Sequence, residues 1–129
     1  MMPAGDYYIG DLCYVMHEEW DEVCSLFFKG RTDGGCNQGE FVLKDGRRFA
    51  CYNTKWGDGE YSDQYGNHYP VDAGCIGCIL FSDISEQDKN NIGLGNLYEM
   101  TKEFDTSNID GLISFNNITI ETNDVENYA

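Results

Sequence analysis

The sequence is poor in basic side chains. Its 129 residues include 8 Lys and Arg against 23 Asp and Glu, which gives a formal net charge of −15 at pH 7. Because contacts to phosphate groups depend on clustered Lys and Arg, we predict no direct nucleic-acid binding. An acidic surface favours solubility, and it also suits the capture of a basic partner protein.

The sequence also lacks a long apolar run. No stretch approaches the roughly 18 residues that a membrane-spanning helix needs, and no basic segment followed by an apolar one opens the chain. We therefore expect a soluble cytoplasmic protein without a signal peptide or a membrane partner, in the host cytoplasm if the protein is viral. The same setting predicts reduced thiols at all six cysteines, which are Cys13, Cys24, Cys36, Cys51, Cys75 and Cys78.

Proline is scarce as well. With 2 Pro and 15 Gly, the turns of this chain rely on glycine together with Asp and Asn. The apolar share of 41% and the aromatic share of 14% are too high for a disordered chain, and the length suits one domain. We predict one domain over residues 1–122 and an acidic tail over residues 123–129.

One helix is predicted over residues 17–28, "HEEWDEVCSLFF". Trp20, Val23, Cys24 and Phe27 recur at three- and four-residue spacing, which places an apolar stripe on one side of a helix. Acidic residues fill its first two turns, where they complement the helix dipole.

Two hairpins are predicted from short turn signals. Asp45-Gly46 favours a two-residue type I′ turn, and Asn116-Asn117 favours a second two-residue turn. The first turn would pair Lys44 with Arg47, Val42 with Phe49 and Glu40 with Cys51. The second would pair Phe115 with Ile118 and Ile113 with Ile120 on one face, leaving Ser114 and Thr119 on the other. Such one-sided alternation is typical of a sheet with one packed face and one solvated face.

The remaining segments complete an α+β fold. Residues 6–16 read as two short strands, or one broken strand, around Gly10-Asp11, and residues 53–70 read as irregular. Residues 71–81 form the most apolar run and predict a buried strand, while residues 97–104 favour a strand over a helix. We predict a single α+β domain with a mostly antiparallel curved sheet of about seven strands, covered on one face by the helix. A closed small barrel is the alternative.

Several short motifs resemble a family of small uncharacterised proteins of bacteria, phages and large DNA viruses. The chain contains "GDLCYV", "WDEV", "WGDGEY", "VDAGCIG" and "DGLISFNNITIET". The family opens with a Gly-Asp-Pro-Cys-Tyr-like turn and ends in an Ile-x-Phe-Gly-x-Ile-x-Ile-x-Thr-like hairpin. Here Leu12 stands in place of the proline and Asn116 in place of the last glycine. The resemblance implies a shared fold and a viral or phage origin, and it implies no mechanism.

The segment "WGDGEYSDQYGNHYPVD" is the first candidate site. Its aromatic rings with polar tips are suited to line a ligand pocket. The predicted ligand-binding residues are Trp56, Asp58, Tyr61, Tyr65, His68, Tyr69 and Asp72. The alternative is a solvated turn without a ligand.

Metal binding is a weaker reading of the sequence. Carboxylate and amide oxygens in one loop suit Ca²⁺, and the candidates are Asp58, Glu60, Asp63 and Asn67. The spacing departs from the EF-hand pattern, which needs glycine where Asp63 stands. Cys75 and Cys78 match a metal or redox motif, but in a strand they point to opposite faces, so we predict that they pack in the core. No cofactor is expected.

A thiol enzyme is the catalytic alternative. Cys13 follows the Gly10-Asp11 turn, with His17 or His68 as the possible base and Asp11 or Asp72 as the orienting carboxylate. The acidic surroundings disfavour a thiolate, and a strand over residues 12–16 would bury Cys13 beside Val15. We therefore predict a structural role for Cys13.

These observations favour a small acidic accessory protein that binds a partner protein or a small ligand without catalysis. The predicted site is the segment 56–72 beside the turn at residues 10–17. Two alternatives remain open at this point: a cysteine-dependent enzyme, and a structural or decoration component of a virus particle.

Overall fold

Two antiparallel sheets of five strands each form the framework of the protein. They are seen in a computed structural model that describes residues 1–32 and 35–126, with side chains described up to residue 123. Sheet I consists, in spatial order, of β2 (Gly39–Val42), β3 (Arg48–Asn53), β6 (Cys75–Leu80), β1 (Gly5–Gly10) and β7 (Asn96–Met100). Sheet II consists of β5 (His68–Val71), β4 (Gly59–Asp63), β10 (Ile118–Glu126), β9 (Leu112–Phe115) and β8 (Thr106–Ile109).

Helical segments cover the outer face of sheet I. The α-helix α1 (Trp20–Phe28) buries Val23 and Phe27 against this face, together with Phe49 and Ile79 of the sheet. In the described part of the chain, three 3₁₀ helices accompany it, at Leu12–Tyr14, Phe81–Asp83 and Asp88–Leu94. Among the described residues, no helix is both long and apolar enough to cross a bilayer.

The packing has three layers and two apolar cores, because sheet I is buried on both faces. The larger core lies between the sheets and includes Tyr7, Ile9, Ile76, Cys78, Tyr61, Tyr69, Ile113, Phe115, Ile118 and Ile120. The second core lies between sheet I and the helical segments and includes Tyr8, Leu12, Val15, Met16, Leu43, Cys51, Cys75 and Ile84. Cys75 and Cys78 therefore face opposite cores, as their spacing predicts.

The predicted α+β class is confirmed, with antiparallel strands, a single domain and a helix on one face. The predicted number of strands is too low, and two open sheets of five are present in place of one curved sheet. The described strands do not close into a barrel. Residues 53–70, predicted to be irregular, contain β4 and most of β5. In β4 the buried positions are Tyr61 and the polar Asp63. A polar residue at a buried position obscures the alternation of apolar and polar residues by which a strand is recognised in the sequence.

Two predicted boundaries in the first 28 residues are wrong. The helix begins at Trp20 and not at residue 17, because the backbone and the ring of His17 both bind the Asp88 carboxylate at 3.2 and 2.7 Å. The chain leaves β1 at Gly10 and enters the Leu12–Tyr14 helix, so residues 12–16 are not a strand. At the other end β10 runs to Glu126, into the predicted tail, and residues 127–129 lie outside the described residues.

The last hairpin has the predicted register. Phe115 pairs with Ile118 and Ile113 with Ile120, and all four side chains are buried. The first hairpin is shifted by one residue, because Phe41 and not Val42 pairs with Phe49. Its turn contains three residues, since Leu43 N donates to Arg47 O. A type I′ turn needs a positive φ at both central residues, but here Gly46 has a φ of 96° and Asp45 has a negative φ.

Candidate functional site

The predicted ligand-binding residues lie in different environments. Tyr61 and Tyr69 are fully buried between the sheets, whereas Trp56 and Tyr65 are 61% and 62% exposed. Trp56 precedes β4 and Tyr65 follows it, so these two rings lie at opposite ends of that strand. The other predicted members, Asp58, His68 and Asp72, are exposed. Segment 56–72 thus contributes two core tyrosines and a set of separate surface side chains.

Asp63 is a structural anchor in this segment. Its Oδ1 accepts hydrogen bonds from the backbone N–H groups of Tyr65 and Asn67, at 2.9 and 3.1 Å. Its Oδ2 accepts from the hydroxyls of Tyr69 and Tyr98, at 2.6 and 2.5 Å. Burial opposes ionisation of this carboxyl, but the four donors outweigh burial and lower its pKa. Because all four contacts satisfy the carboxylate, it has little capacity left for a metal ion.

The other metal candidates do not gather around Asp63. Asp58 is exposed before β4, Glu60 lies 3.3 Å from the ring of His68, and Asn67 donates to the hydroxyl of Tyr98. Within residues 1–32 and 35–126, no group of three or more His, Cys, Asp or Glu side chains is arranged to hold a metal ion.

A second buried carboxylate, that of Asp11, joins the opening turn to the connection between β5 and β6. Its Oδ1 accepts from Cys13 N at 3.0 Å. Its Oδ2 accepts from the backbone N–H groups of Asp72 and Ala73, at 2.8 and 2.7 Å. The hydroxyl of Tyr14 also donates to the Asp72 side chain, at 2.8 Å. Asp11 therefore ends β1 and fixes a turn that is 61 residues away in the chain.

The surroundings of Cys13 oppose a thiolate. Burial, followed by the hydrogen bond to Asp11 and the charge of that carboxylate, raises the pKa of the Cys13 thiol well above its ordinary value. His17 Nδ1 lies 2.7 Å from Asp88 Oδ1, and His68 lies beside Ser62 and Glu60 on sheet II. The fold thus brings Asp11 to Cys13 and gives both histidines other carboxylate neighbours.

A cavity between α1 and sheet I was not predicted from the sequence. It has a volume of about 130 Å³, and its wall is mostly apolar. Ten described residues line it: Trp20, Val23, Cys24, Phe27, Phe28, Cys51, Asn53, Ala73, Gly74 and Cys75. Phe28 is 53% exposed at its rim. The apolar stripe of α1 was visible in the sequence, but the strands that complete the wall depend on the tertiary fold.

Three of the motifs that carry the family resemblance are connected by hydrogen bonds near this cavity. Asp11 of "GDLCYV" binds Ala73 of "VDAGCIG". Thr54 N donates to Gly74 O at 3.1 Å, and the Thr54 hydroxyl donates to Gly57 O of "WGDGEY" at 2.6 Å. These contacts give the motifs a structural role. No protein-family model, curated protein or solved structure matches this chain, so membership of the resembled family stays a prediction.

Proposed function

We propose that this protein is a non-catalytic binding protein that holds a small apolar molecule in the cavity between α1 and sheet I. The observation that carries the proposal is the chemistry of the wall. Four apolar side chains of α1 and the Cys24 thiol form one side of the cavity, and Cys51, Asn53 and the segment 73–75 form the other. Ligand pockets in proteins are concave and mostly apolar, with few polar groups to orient the ligand.

The size of the cavity limits the ligand. Its volume of about 130 Å³ is close to the roughly 150 Å³ of an apolar cavity that takes up benzene. The amide of Asn53 is already engaged, since Nδ2 donates to Cys36 Sγ at 2.6 Å. A single aromatic ring or a short aliphatic chain therefore fits better than a sugar or a nucleotide.

The same wall argues against catalysis at this place. The ten residues lining the cavity include no His, Asp, Glu, Lys or Arg to act as a general acid or base. Burial raises the pKa of the Cys24 thiol, which disfavours a thiolate nucleophile there. Binding of a partner protein, a cytoplasmic location and a viral or phage origin stay predictions of the sequence.

Tryptophan fluorescence tests the proposal. The chain has 2 Trp, so Trp56→Phe leaves Trp20, in the cavity wall, as the only indole reporter. We expect benzene, phenols or short alkanols, none of which contains an indole, to change the Trp20 emission along a saturable binding curve. A ligand at about one hundred times its Kd should stabilise the fold by roughly 2.7 kcal/mol.

Filling the cavity provides the matched control. Cys24→Leu places extra volume in the cavity, whereas Ser25→Leu adds the same side chain at the exposed neighbouring position of α1. We expect Cys24→Leu to abolish the fluorescence and melting responses and Ser25→Leu to keep them. If no apolar probe moves either signal in the parent protein, or if Cys24→Leu binds as well as the parent, the proposal is wrong.

A further inference from the structure

Two buried thiols lie side by side in the wall of this cavity. Cys51 is on β3 and Cys75 on the adjacent β6, where the strand register pairs Cys51 with Gly77 and Asn53 with Cys75. The two cysteines are thus offset by two residues on neighbouring strands, and both side chains face α1. Both cysteines line the same cavity, and their residues are 0% and 3% exposed.

We propose that Cys51 and Cys75 form a two-sulfur site for a soft metal ion such as Hg(II) or Cu(I). Cysteine sulfur is the ligand that selects soft ions, and these ions accept two thiolates without further ligands. Zinc does not fit, since it takes four ligands and no described group of three or more suitable side chains is arranged to hold a metal ion. Both cysteines line the cavity, so an ion that enters it meets both residues.

The charge balance distinguishes the two ions. Hg(II) replaces one proton on each thiol, forms two metal–sulfur bonds and releases two protons, which leaves a neutral complex. Cu(I) bound in the same way leaves a complex of charge −1, and no electron is transferred in either case. Asp11 Oδ1 already lies 3.9 Å from Cys75 Sγ. Because a further buried negative charge beside this carboxylate is costly, we expect the site to prefer Hg(II).

The test starts from a variant in which Cys13, Cys24 and Cys36, the half-buried cysteines, are replaced by Ser. This parent retains Cys51, Cys75 and Cys78. Titration with Hg(II) in the presence of a competing monothiol should give one tightly bound ion per chain, a sulfur-to-mercury charge-transfer band and a higher melting temperature. Cu(I) delivered from a chelator should bind to the same residues and be displaced by Hg(II).

Cys78→Ala is the matched control. Cys78 lies on the same strand and is equally buried, but it faces the core between the sheets. We expect Cys78→Ala to retain the tightly bound ion. Cys51→Ala and Cys75→Ala should each lose the charge-transfer band, and their affinity for the ion should fall at least a hundredfold. Circular dichroism of the metal-free variants shows that they are folded before titration.

The inference is overturned if the parent takes up no ion against the competing thiol, or if Cys75→Ala binds one ion as tightly as the parent. It does not depend on the proposed apolar ligand, because the parent for this test lacks Cys24 and its readout is the metal–sulfur band. If the protein binds the ion and no apolar probe, only the proposed function is wrong. If it binds an apolar probe and no ion, only the metal site is wrong.

Discussion

Two buried carboxylates connect segments that are distant in the chain. Asp11 accepts three backbone hydrogen bonds, and Asp63 accepts two from backbone groups and two from tyrosine hydroxyls. A buried charge is tolerated where its hydrogen bonds are complete, and its removal leaves the donors without acceptors. Both residues therefore stabilise the fold at places where the sequence suggested a reactive turn and a metal ligand.

Replacement of Asp11 is expected to be strongly destabilising. Asp11→Ala leaves the N–H groups of Cys13, Asp72 and Ala73 without their acceptor, and each such loss costs about 1–3 kcal/mol. We expect a total loss of roughly 3 kcal/mol or more in a urea melt. Asp72→Ala is the control, because it removes only the exposed contact with Tyr14 and should cost less than about 1 kcal/mol. Equal losses in the two variants would contradict the anchoring role of Asp11.

Asp63 should make the protein sensitive to acid. Its pKa is lower in the folded state than in the unfolded state, where it has the usual value of about 3.9. The folded state therefore gains stability above the unfolded pKa and loses it as the pH falls through the folded pKa. Urea melts between about pH 6 and pH 2 should show a steeper acid loss in the parent than in Asp63→Asn. The same slope in both proteins would show that another group governs the acid transition.

Cys13 should react slowly with alkylating agents. Burial and the neighbouring Asp11 raise the pKa of its thiol, so little thiolate is present at neutral pH. We expect Cys13 in the folded protein, followed by peptide mass spectrometry, to be alkylated far more slowly than glutathione. Asp11→Asn removes the negative charge and should increase the rate. A rate above that of glutathione, abolished by His17→Ala, would instead support the thiol enzyme.

At the scale of elements, the two hairpins show what the sequence can predict. The register of β9 and β10 follows from Ile113, Phe115, Ile118 and Ile120, because any slip would expose this apolar face. Strands β2 and β3 have apolar residues on both faces, so a shift of one residue has little effect on the pattern. Their register depends on the negative φ of Asp45, which the Asp-Gly pair did not reveal.

The candidate site was less predictable than the fold. Tyrosines near polar residues suggest a pocket in the sequence, but Tyr61 and Tyr69 use their rings to fill the core. The cavity is formed by α1, β3 and the start of β6, which are brought together only by the tertiary fold. Its sequence signal is the apolar stripe of α1, which includes the cavity residues Trp20, Val23 and Phe27.

The last hairpin should tolerate changes on one face only. Truncation of Ile113 or Phe115 to Ala removes a fully buried side chain and should cost about 2–5 kcal/mol. Thr119→Ala, on the other face, should cost well under 1 kcal/mol because this side is partly solvated. Denaturant melts check both expectations. Similar losses on the two faces would contradict the packing of sheet II through Ile113 and Phe115.

At the scale of the whole molecule, the charge of −15 acts against the compact state. Part of this repulsion has a defined location, because Asp6 on β1 stands directly opposite Glu99 on β7 and both are exposed. Like charges in opposed positions across strands are destabilising, whereas opposite charges contribute roughly 0.2–1 kcal/mol. The global and the local effects can be separated by two variants of equal charge.

Glu99→Lys and Glu103→Lys each change the formal net charge from −15 to −13, since one negative charge is lost and one positive charge is gained. Glu103 is exposed outside the strands, so its variant reports mainly the global effect. We expect both variants to melt at higher temperature than the parent at low salt, and Glu99→Lys to gain about 0.5–1 kcal/mol more by pairing with Asp6. Because salt screens exposed charges, about 0.5 M NaCl should raise the melting temperature of the parent and reduce the gain of both variants. Equal melting temperatures for the two variants would contradict a repulsion between Asp6 and Glu99. No gain in either variant would show that net charge does not limit the stability of this fold.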